Sequence, residues 1–201
     1  MDKKRISATI IADSVNGKTG DRLTTFLLVF PRIVLAEFNT YRKFSRNSAS
    51  SRAIPFKTML KNVQEDPFIP IKWMKDHSGM QGTEYFGTER IQVNDEEGGT
   101  LLIDWLEYNW LKARDYAVQQ AKFLSNNGLT KQFCNRLLEP FLWHTVIVTA
   151  SDYENFFALR ANEGAEIHIQ DLAEKMLVEY NNSTPKVLQE GEWHIPDFSK
   201  I

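Results

Sequence analysis

Positive charge is concentrated in one segment of the chain, residues 38–64. This segment contains no acidic residue, although the whole chain carries a formal net charge of −2. Serine hydroxyls and an asparagine lie between its first arginines, and guanidinium groups bind phosphate or carboxylate oxygens in pairs. The composition favours a phosphorylated ligand, but a solvated basic loop with serine-capped turns would account for it equally well. The basic residues are Arg42, Lys43, Arg46, Arg52, Lys57 and Lys61.

A second group of polar residues lies about 110 positions later. Asn155 and Arg160 stand five residues apart in the run Asp152-Tyr153-Glu154-Asn155-Phe156-Phe157-Ala158-Leu159-Arg160. The aromatic residues between them indicate a helix face packed in a core. An arginine at the end of such a helix also has a structural explanation, because it stabilises the helix dipole and the last carbonyls.

Length and composition limit the classes of protein that fit. The 201 residues suit a single domain, 1–201, and 42% hydrophobic with 25% charged residues is ordinary for a soluble globular protein. No apolar stretch resembles a signal peptide or a membrane span, so we predict a cytoplasmic protein with no membrane partner. The net charge argues against general binding to nucleic acid. Cys134 is the only cysteine and the histidines are scattered, so neither a disulfide nor a metal site is predicted.

The elements that must position these residues are predicted from periodicity and turn chemistry. Alternation and β-branched residues predict strands, and the turn signal Asn16-Gly17 predicts that the first two form a hairpin. The serine-rich basic segment is predicted to be a loop that runs from the end of a helix to Pro55. The predicted strands are 5–12, 23–30 and 141–150, the helices 31–38, 56–64, 101–124, 130–138, 151–160 and 165–180, and the loops 71–99 and 181–201.

The spacing within the basic loop is more specific than its composition. Serine, asparagine, serine and arginine follow Arg42 at offsets of three, five, eight and ten. This first motif resembles the signature of the flavin-dependent thymidylate synthases, and the run from Phe44 to Pro55 is similar to their bacteriophage branch. The second motif, from Asn155 through Arg160 to Ala165 and Glu166, resembles the other signature of the same enzymes.

The resemblance implies a fold and an activity. The fold is α/β (α+β), a curved, mostly antiparallel sheet flanked by helices, and the assembly is a homotetramer. The activity is reductive methylation of dUMP to dTMP with methylenetetrahydrofolate, FAD and NADPH, in the host cytoplasm if the protein is phage-encoded. Cys134 stands beside Phe133 in a predicted helix, which favours a small buried group over a nucleophile.

The resemblance also implies roles for individual residues. Arg160 is the catalytic residue, which binds the pyrimidine and stabilises its ionised form. FAD contacts are implied for Arg42, Ser45, Asn47, Ser48 and Asn155. Substrate contacts are implied for Glu37, Ser50, Ser51, Arg52, Arg136 and Arg160.

Several positions depart from the family pattern. The usual Arg-His-Arg is Thr40-Tyr41-Arg42, a common glutamate is Ser48, and an expected histidine is Gly164. Glu37 and Glu166 replace glutamines, and a carboxylate accepts hydrogen bonds from an exocyclic amine. We therefore keep dCMP as an alternative substrate and a hydroxymethyl pyrimidine as an alternative product.

Two further interpretations remain open. One is a non-catalytic protein whose basic loop binds RNA or DNA, although Tyr41 and Phe44 are the only aromatic residues of that loop and no wider basic surface supports this. The other is a relative that binds nucleotide but has lost flavin.

Overall fold

The computed structural model describes residues 5–78, 82–87, 90–94 and 100–200. The chain divides into two compact units. The first, the sheet unit, consists of Met1–Ser50 and Trp143–Ile201. The second, the inserted unit, consists of Ser51–Leu142.

A five-stranded sheet with the order β3-β6-β2-β1-β7 forms the sheet unit. All neighbours are antiparallel except β7, which pairs parallel to β1. The predicted α/β class with a mostly antiparallel sheet is therefore confirmed. The strands are β1 (Ser7–Asn16), β2 (Arg22–Pro31), β3 (Ser45–Ser48), β6 (Trp143–Ala150) and β7 (Lys186–Leu188).

The predicted hairpin between β1 and β2 is confirmed. Asn16 Oδ1 accepts hydrogen bonds from the backbone amides of Lys18 (2.8 Å) and Thr19 (3.2 Å), which closes the turn. Gly20 has a φ of 76°, a left-handed conformation that glycine adopts without a steric penalty.

Three helices flank the sheet: α1 (Leu35–Phe38), α5 (Glu154–Arg160) and α6 (Ile167–Asn182). A 3-10 turn, Arg32–Val34, leads into α1. Helix α6 packs on β1 and β2 through the apolar face that its period predicts. The buried residues of this face are Ile169, Leu172, Ala173 and Met176.

The C-terminal segment is bound to strands β1 and β2 through His194. Its Nδ1 hydrogen bonds to Ser14 Oγ (2.7 Å) and its Nε2 to Thr25 Oγ1 (2.8 Å). The backbone amide of Asp197 donates to the Ile11 carbonyl at 2.7 Å. Burial lowers the pKa of His194, with Asp13 acting in the opposite direction, so the neutral ring is favoured at this position.

The inserted unit is mainly helical. Its elements are β4 (Arg90–Asn94), β5 (Thr100–Asp104), α2 (Phe56–Glu65), α3 (Trp105–Asn126) and α4 (Lys131–Arg136). Strands β4 and β5 form an antiparallel pair. The core includes Met59, Val63, Val118, Ala121 and Leu138. Within the described ranges, no helix of either unit has both the length and the apolar character that a bilayer crossing requires.

The structure differs from several of the predicted elements. The helix predicted from Leu101 begins at Trp105, because Asp104 caps it and the preceding residues pair with β4 inside the predicted loop 71–99. Strand β3 lies in the predicted loop before Pro55, and β7 lies in the predicted irregular tail. The helix predicted from Ser151 begins at Glu154, whose amide donates to Asp152 Oδ1 at 2.9 Å. Residues 79–81, 88–89 and 95–99 of the predicted loop lie outside the described residues.

Candidate functional site

A cavity of about 480 Å³ in the sheet unit unites parts of both sequence motifs. Arg42 belongs to the first motif, and Asn155 and Arg160 belong to the second. The other residues that line the cavity come from the turn after α1, from the segment before α5 and from α5 itself. They are Thr40, Tyr41, Lys43, Phe44, Asp152, Phe156 and Leu159.

The order of the strands explains why distant segments meet at this cavity. Strand β3 follows directly after the turn at residues 40–44, and α5 follows directly after β6. The two strands pair antiparallel with Ser45 opposite Thr149, so the beginning of β3 lies beside the end of β6. The turn and α5 are therefore at the same end of the sheet.

The turn at residues 40–44 is held by hydrogen bonds from the side chains of Thr40 and Arg46. Thr40 Oγ1 donates to the Glu37 carbonyl at 2.7 Å. Arg46 Nη1 donates to the carbonyls of Tyr41 (3.0 Å) and Phe38 (3.3 Å). These side-chain bonds supplement the backbone hydrogen bonds that the Glu37 and Tyr41 carbonyls accept from Thr40 and Phe44. Arg46 is thus used for structure, although its position in the basic loop gave no sign of this.

Aromatic rings beneath the cavity position Tyr41. Its ring stacks on Phe44 at a centroid distance of 5.6 Å and an interplanar angle of 28°. Phe156 meets the same ring edge-on at 4.8 Å. Phe44 and Phe156 are buried, so the tyrosine ring lies against a packed part of the core.

Arg160 is oriented by two partners within the sheet unit. Its Nε donates to the Tyr41 hydroxyl oxygen at 2.8 Å, and its Nη1 lies 3.4 Å from Glu37 Oε2. The arginine side chain is 27% exposed, so it is partly shielded yet still reaches the cavity. Glu37, which was predicted to contact substrate, is connected to the cavity through this ion pair.

Two more cations lie on the turn. Lys43 forms an ion pair with Asp152, and the pKa of Asp152 is lowered chiefly by the hydrogen bond from Lys43. The Lys43 side chain is exposed, so this pair adds little stability. The neighbouring Arg42 is exposed and has no hydrogen-bond or ion-pair partner among the residues described. Arg42 is therefore available to an anionic ligand.

The remaining residues of the first motif that belong to the sheet unit do not line this cavity. Ser45, Asn47 and Ser48 lie on β3, which is one of the two edge strands of the sheet, and all three side chains are exposed. Ser50 is exposed beyond the end of that strand.

The end of the first motif, Ser51 and Arg52, belongs to the inserted unit. Ser51 is only 4% exposed, and its hydroxyl donates to the Glu139 carboxylate. This hydroxyl, predicted to contact substrate, is thus already engaged within the protein. Arg52 and the predicted Arg136 are both exposed.

Asn135 is a positioning residue that sequence reasoning missed. Its side chain is fully buried, and Nδ2 donates to the carbonyls of Ser51 (2.6 Å) and Ile54 (2.9 Å). Lys131 Nζ donates to the Ala53 carbonyl between them at 3.2 Å. Helix α4 therefore holds the chain around Arg52 in a defined conformation. The sequence contained one indication of this role: Asn135 is a polar residue on the face of the helix that Cys134 and Leu138 bury in the core.

Glu166 serves as the N-cap of α6. Its Oε2 accepts from the amides of His168 (2.9 Å) and Ile169 (3.1 Å), and its Oε1 hydrogen bonds to His168 Nδ1 at 2.5 Å. Burial opposes ionisation of this carboxyl, but the hydrogen bonds from His168 and the backbone outweigh it and lower the pKa. Both oxygens are thus engaged, which removes the reason to expect Glu166 to accept from the amine of a pyrimidine.

Comparison with known proteins establishes the fold. No family model matches the chain, and no curated protein sequence matches it significantly. Two solved structures of the UMP/dUMP methylase PolB from Streptomyces cacaoi are similar. The complex with 5-Br UMP is 14% identical over 89% of this chain and 90% of that chain, with a TM-score of 0.63. The complex with 5-Br dUMP is 13% identical over 89% and 91%, with a TM-score of 0.59. The chain therefore shares its fold with a nucleotide methylase.

Proposed function

We propose that the protein is a flavin-dependent pyrimidine nucleotide methylase that converts dUMP to dTMP. The observation that carries this proposal is the single cavity lined by Arg42, Asn155 and Arg160, because these residues come from both sequence motifs. The fold shared with a UMP/dUMP methylase supports it.

Arg160 is the proposed catalytic residue. A guanidinium stays protonated at neutral pH, so it donates charge-assisted hydrogen bonds but cannot remove a proton. Placed against a pyrimidine carbonyl, it would stabilise negative charge that develops on the ring during substitution. Its bond to Tyr41 and its ion pair with Glu37 orient it before substrate binds.

The chemistry of the cavity fits a flavin dinucleotide. Arg42, which has no partner among the described residues, supplies a cation suited to a diphosphate. The Asn155 amide both donates and accepts, which suits the edge of a flavin ring. The exposed Ser45, Asn47 and Ser48 of β3 would add short polar contacts near the same end of the sheet. When bound, FAD reduced by NADPH supplies the hydride, and methylenetetrahydrofolate supplies the carbon.

The chain offers no cysteine nucleophile for the alternative, covalent route to dTMP. Cys134, the only cysteine, is fully buried. Its Sγ donates to the Leu129 carbonyl at 3.6 Å. A thiol in this position is a small apolar core group, as its sequence context predicts.

Phosphate binding in the inserted unit is a separate part of the proposal. Arg52 and Arg136 are exposed guanidinium groups, and Asn135 fixes the chain that carries Arg52. We assign a phosphate contact to these two arginines of the inserted unit, because the Ser51 hydroxyl is already bonded to Glu139. The homotetramer that the resemblance implies also stays a prediction.

One observation favours dCMP as a second candidate substrate. The carboxylate of Glu37 lies 3.4 Å from the Arg160 guanidinium, which is the group proposed to bind the base. A carboxylate there can accept a hydrogen bond from the exocyclic amine of cytosine.

Spectra and turnover of the purified protein test the proposal. We expect a yellow preparation whose flavin absorbance bleaches with NADPH. We also expect labelled carbon to pass from methylenetetrahydrofolate to dUMP, with UMP and dCMP assayed in parallel. Transfer to dCMP alone would select the second candidate. A colourless protein without transfer, which binds DNA in a salt-sensitive manner, would replace the enzyme with the nucleic-acid-binding interpretation.

A further inference from the structure

We propose that Tyr41 is a positioning residue, whose hydroxyl holds Arg160 in the orientation that binds the pyrimidine. The inference rests on the proposed function of the cavity and assigns a role to a residue at which the chain departs from the family pattern.

The hydrogen bond is formed between a charged donor and a fixed acceptor. Arg160 Nε donates to Tyr41 Oη at 2.8 Å, a distance typical of a well-formed bond. The acceptor is fixed because the tyrosine ring stacks on Phe44 and meets Phe156 edge-on. An aromatic support within the core thus determines where a long, flexible arginine side chain lies.

The nitrogens of the Arg160 guanidinium that already have partners determine which nitrogens can bind a ligand. Tyr41 engages Nε, and Glu37 lies beside Nη1. Nη2 forms no hydrogen bond with any residue in the described ranges, and Arg160 lines the cavity. The Nε and Nη1 side of the guanidinium is thus held by the protein, and Nη2 can donate to a carbonyl or to an anionic ring. Because the side chain is already ordered, less conformational entropy is lost on binding.

A direct contact between Tyr41 and the ligand is the competing explanation. A stacking role requires only the aromatic ring, which phenylalanine retains, whereas the positioning role requires the hydroxyl. Tyr41→Phe therefore separates the two roles without removing the packing against Phe44 and Phe156.

A double-mutant cycle on dUMP affinity tests the inference. Calorimetric titration compares wild type, Tyr41→Phe, Arg160→Lys and the double variant. Tyr41→Phe should weaken dUMP binding on the order of tenfold in the wild-type background. In the Arg160→Lys background it should change binding by less than about twofold, since the guanidinium that Tyr41 is proposed to orient is gone.

A matched control is available in the same unit. The Tyr180 ring packs on the Arg22 guanidinium at 3.8 Å, away from the cavity, so Tyr180→Phe should leave dUMP affinity unchanged. A ligand-free measurement accompanies the cycle: the Nε–H resonance of Arg160, identified by its loss in Arg160→Lys, should shift in Tyr41→Phe.

The outcomes separate this inference from the proposed function. Unchanged dUMP affinity in Tyr41→Phe, or an equal loss in both backgrounds, would overturn the positioning role while wild-type binding sustains the proposed function. Absence of dUMP binding by the wild-type protein would overturn the proposed function, and this inference with it.

Discussion

Arginines that are equivalent in the sequence have different roles in the structure. Arg42 and Arg46 both lie in the acid-free basic loop, and their type and spacing do not separate them. Arg42 is exposed at the cavity, whereas Arg46 donates to the Phe38 and Tyr41 carbonyls. Residue type predicts charge and donor number, but the direction of a long side chain depends on which backbone carbonyls the fold places within its reach.

Asn135 provides a residue-scale test of how the chain around Arg52 is held. Asn135→Ala removes the donor for two carbonyls, and we expect the free energy of unfolding to fall by about 2–4 kcal/mol, measured by chemical denaturation. Asn109→Ala is the matched control, because Asn109 also donates from Nδ2 to a carbonyl but is exposed. The control should change stability by less than about 0.5 kcal/mol. An equally small effect of both variants would show that Asn135 does not hold the segment.

At the scale of elements, Glu166 makes the stability of helix α6 depend on pH. The folded state lowers the pKa of this carboxyl below its ordinary value of 4.5, so capping by the carboxylate stabilises the fold above that pH. The stabilisation is lost as the pH falls through the lower, folded pKa. Glu166→Ala should therefore cost about 1 kcal/mol at pH 7 and progressively less below pH 4.5.

Thermal or urea unfolding of Glu166→Ala and wild type across this pH range measures the difference. Glu174 lies on the exposed side of the same helix, so the Glu174→Ala variant serves as the control. A difference between Glu166→Ala and wild type that stays constant with pH would contradict the capping role of the ionised carboxyl.

Elements with strong local signals were predictable, and elements defined by distant partners were not. The β1–β2 hairpin and helix α2 have their turn residues and apolar faces in the local sequence. Strand β3 is a short run of polar residues that becomes a strand only because β6 is available to pair with it. The start of α3 was misplaced because Leu101–Ile103 continue its apolar pattern, while their backbone pairs with β4.

At the scale of the whole molecule, the sequence identified candidate site residues but not how they meet. Motif spacing singled out Arg42, Asn155 and Arg160, and one cavity brings them together. The antiparallel register of β3 on β6 brings the two motifs together. A pairing between residues about 100 positions apart produces no pattern in the local sequence. The part played by Tyr41 likewise became visible only from its contacts with Arg160, Phe44 and Phe156.

Photo-crosslinking with 5-bromo-dUMP tests the central claim, that this cavity is the nucleotide site, most directly. Irradiation of the complex attaches the pyrimidine to nearby side chains, and mass spectrometry identifies the modified peptides. We predict adducts on peptides that contain residues 40–44 or 152–160, and their suppression by excess dUMP. Adducts confined to other segments, or adducts that excess dUMP does not suppress, would contradict the account.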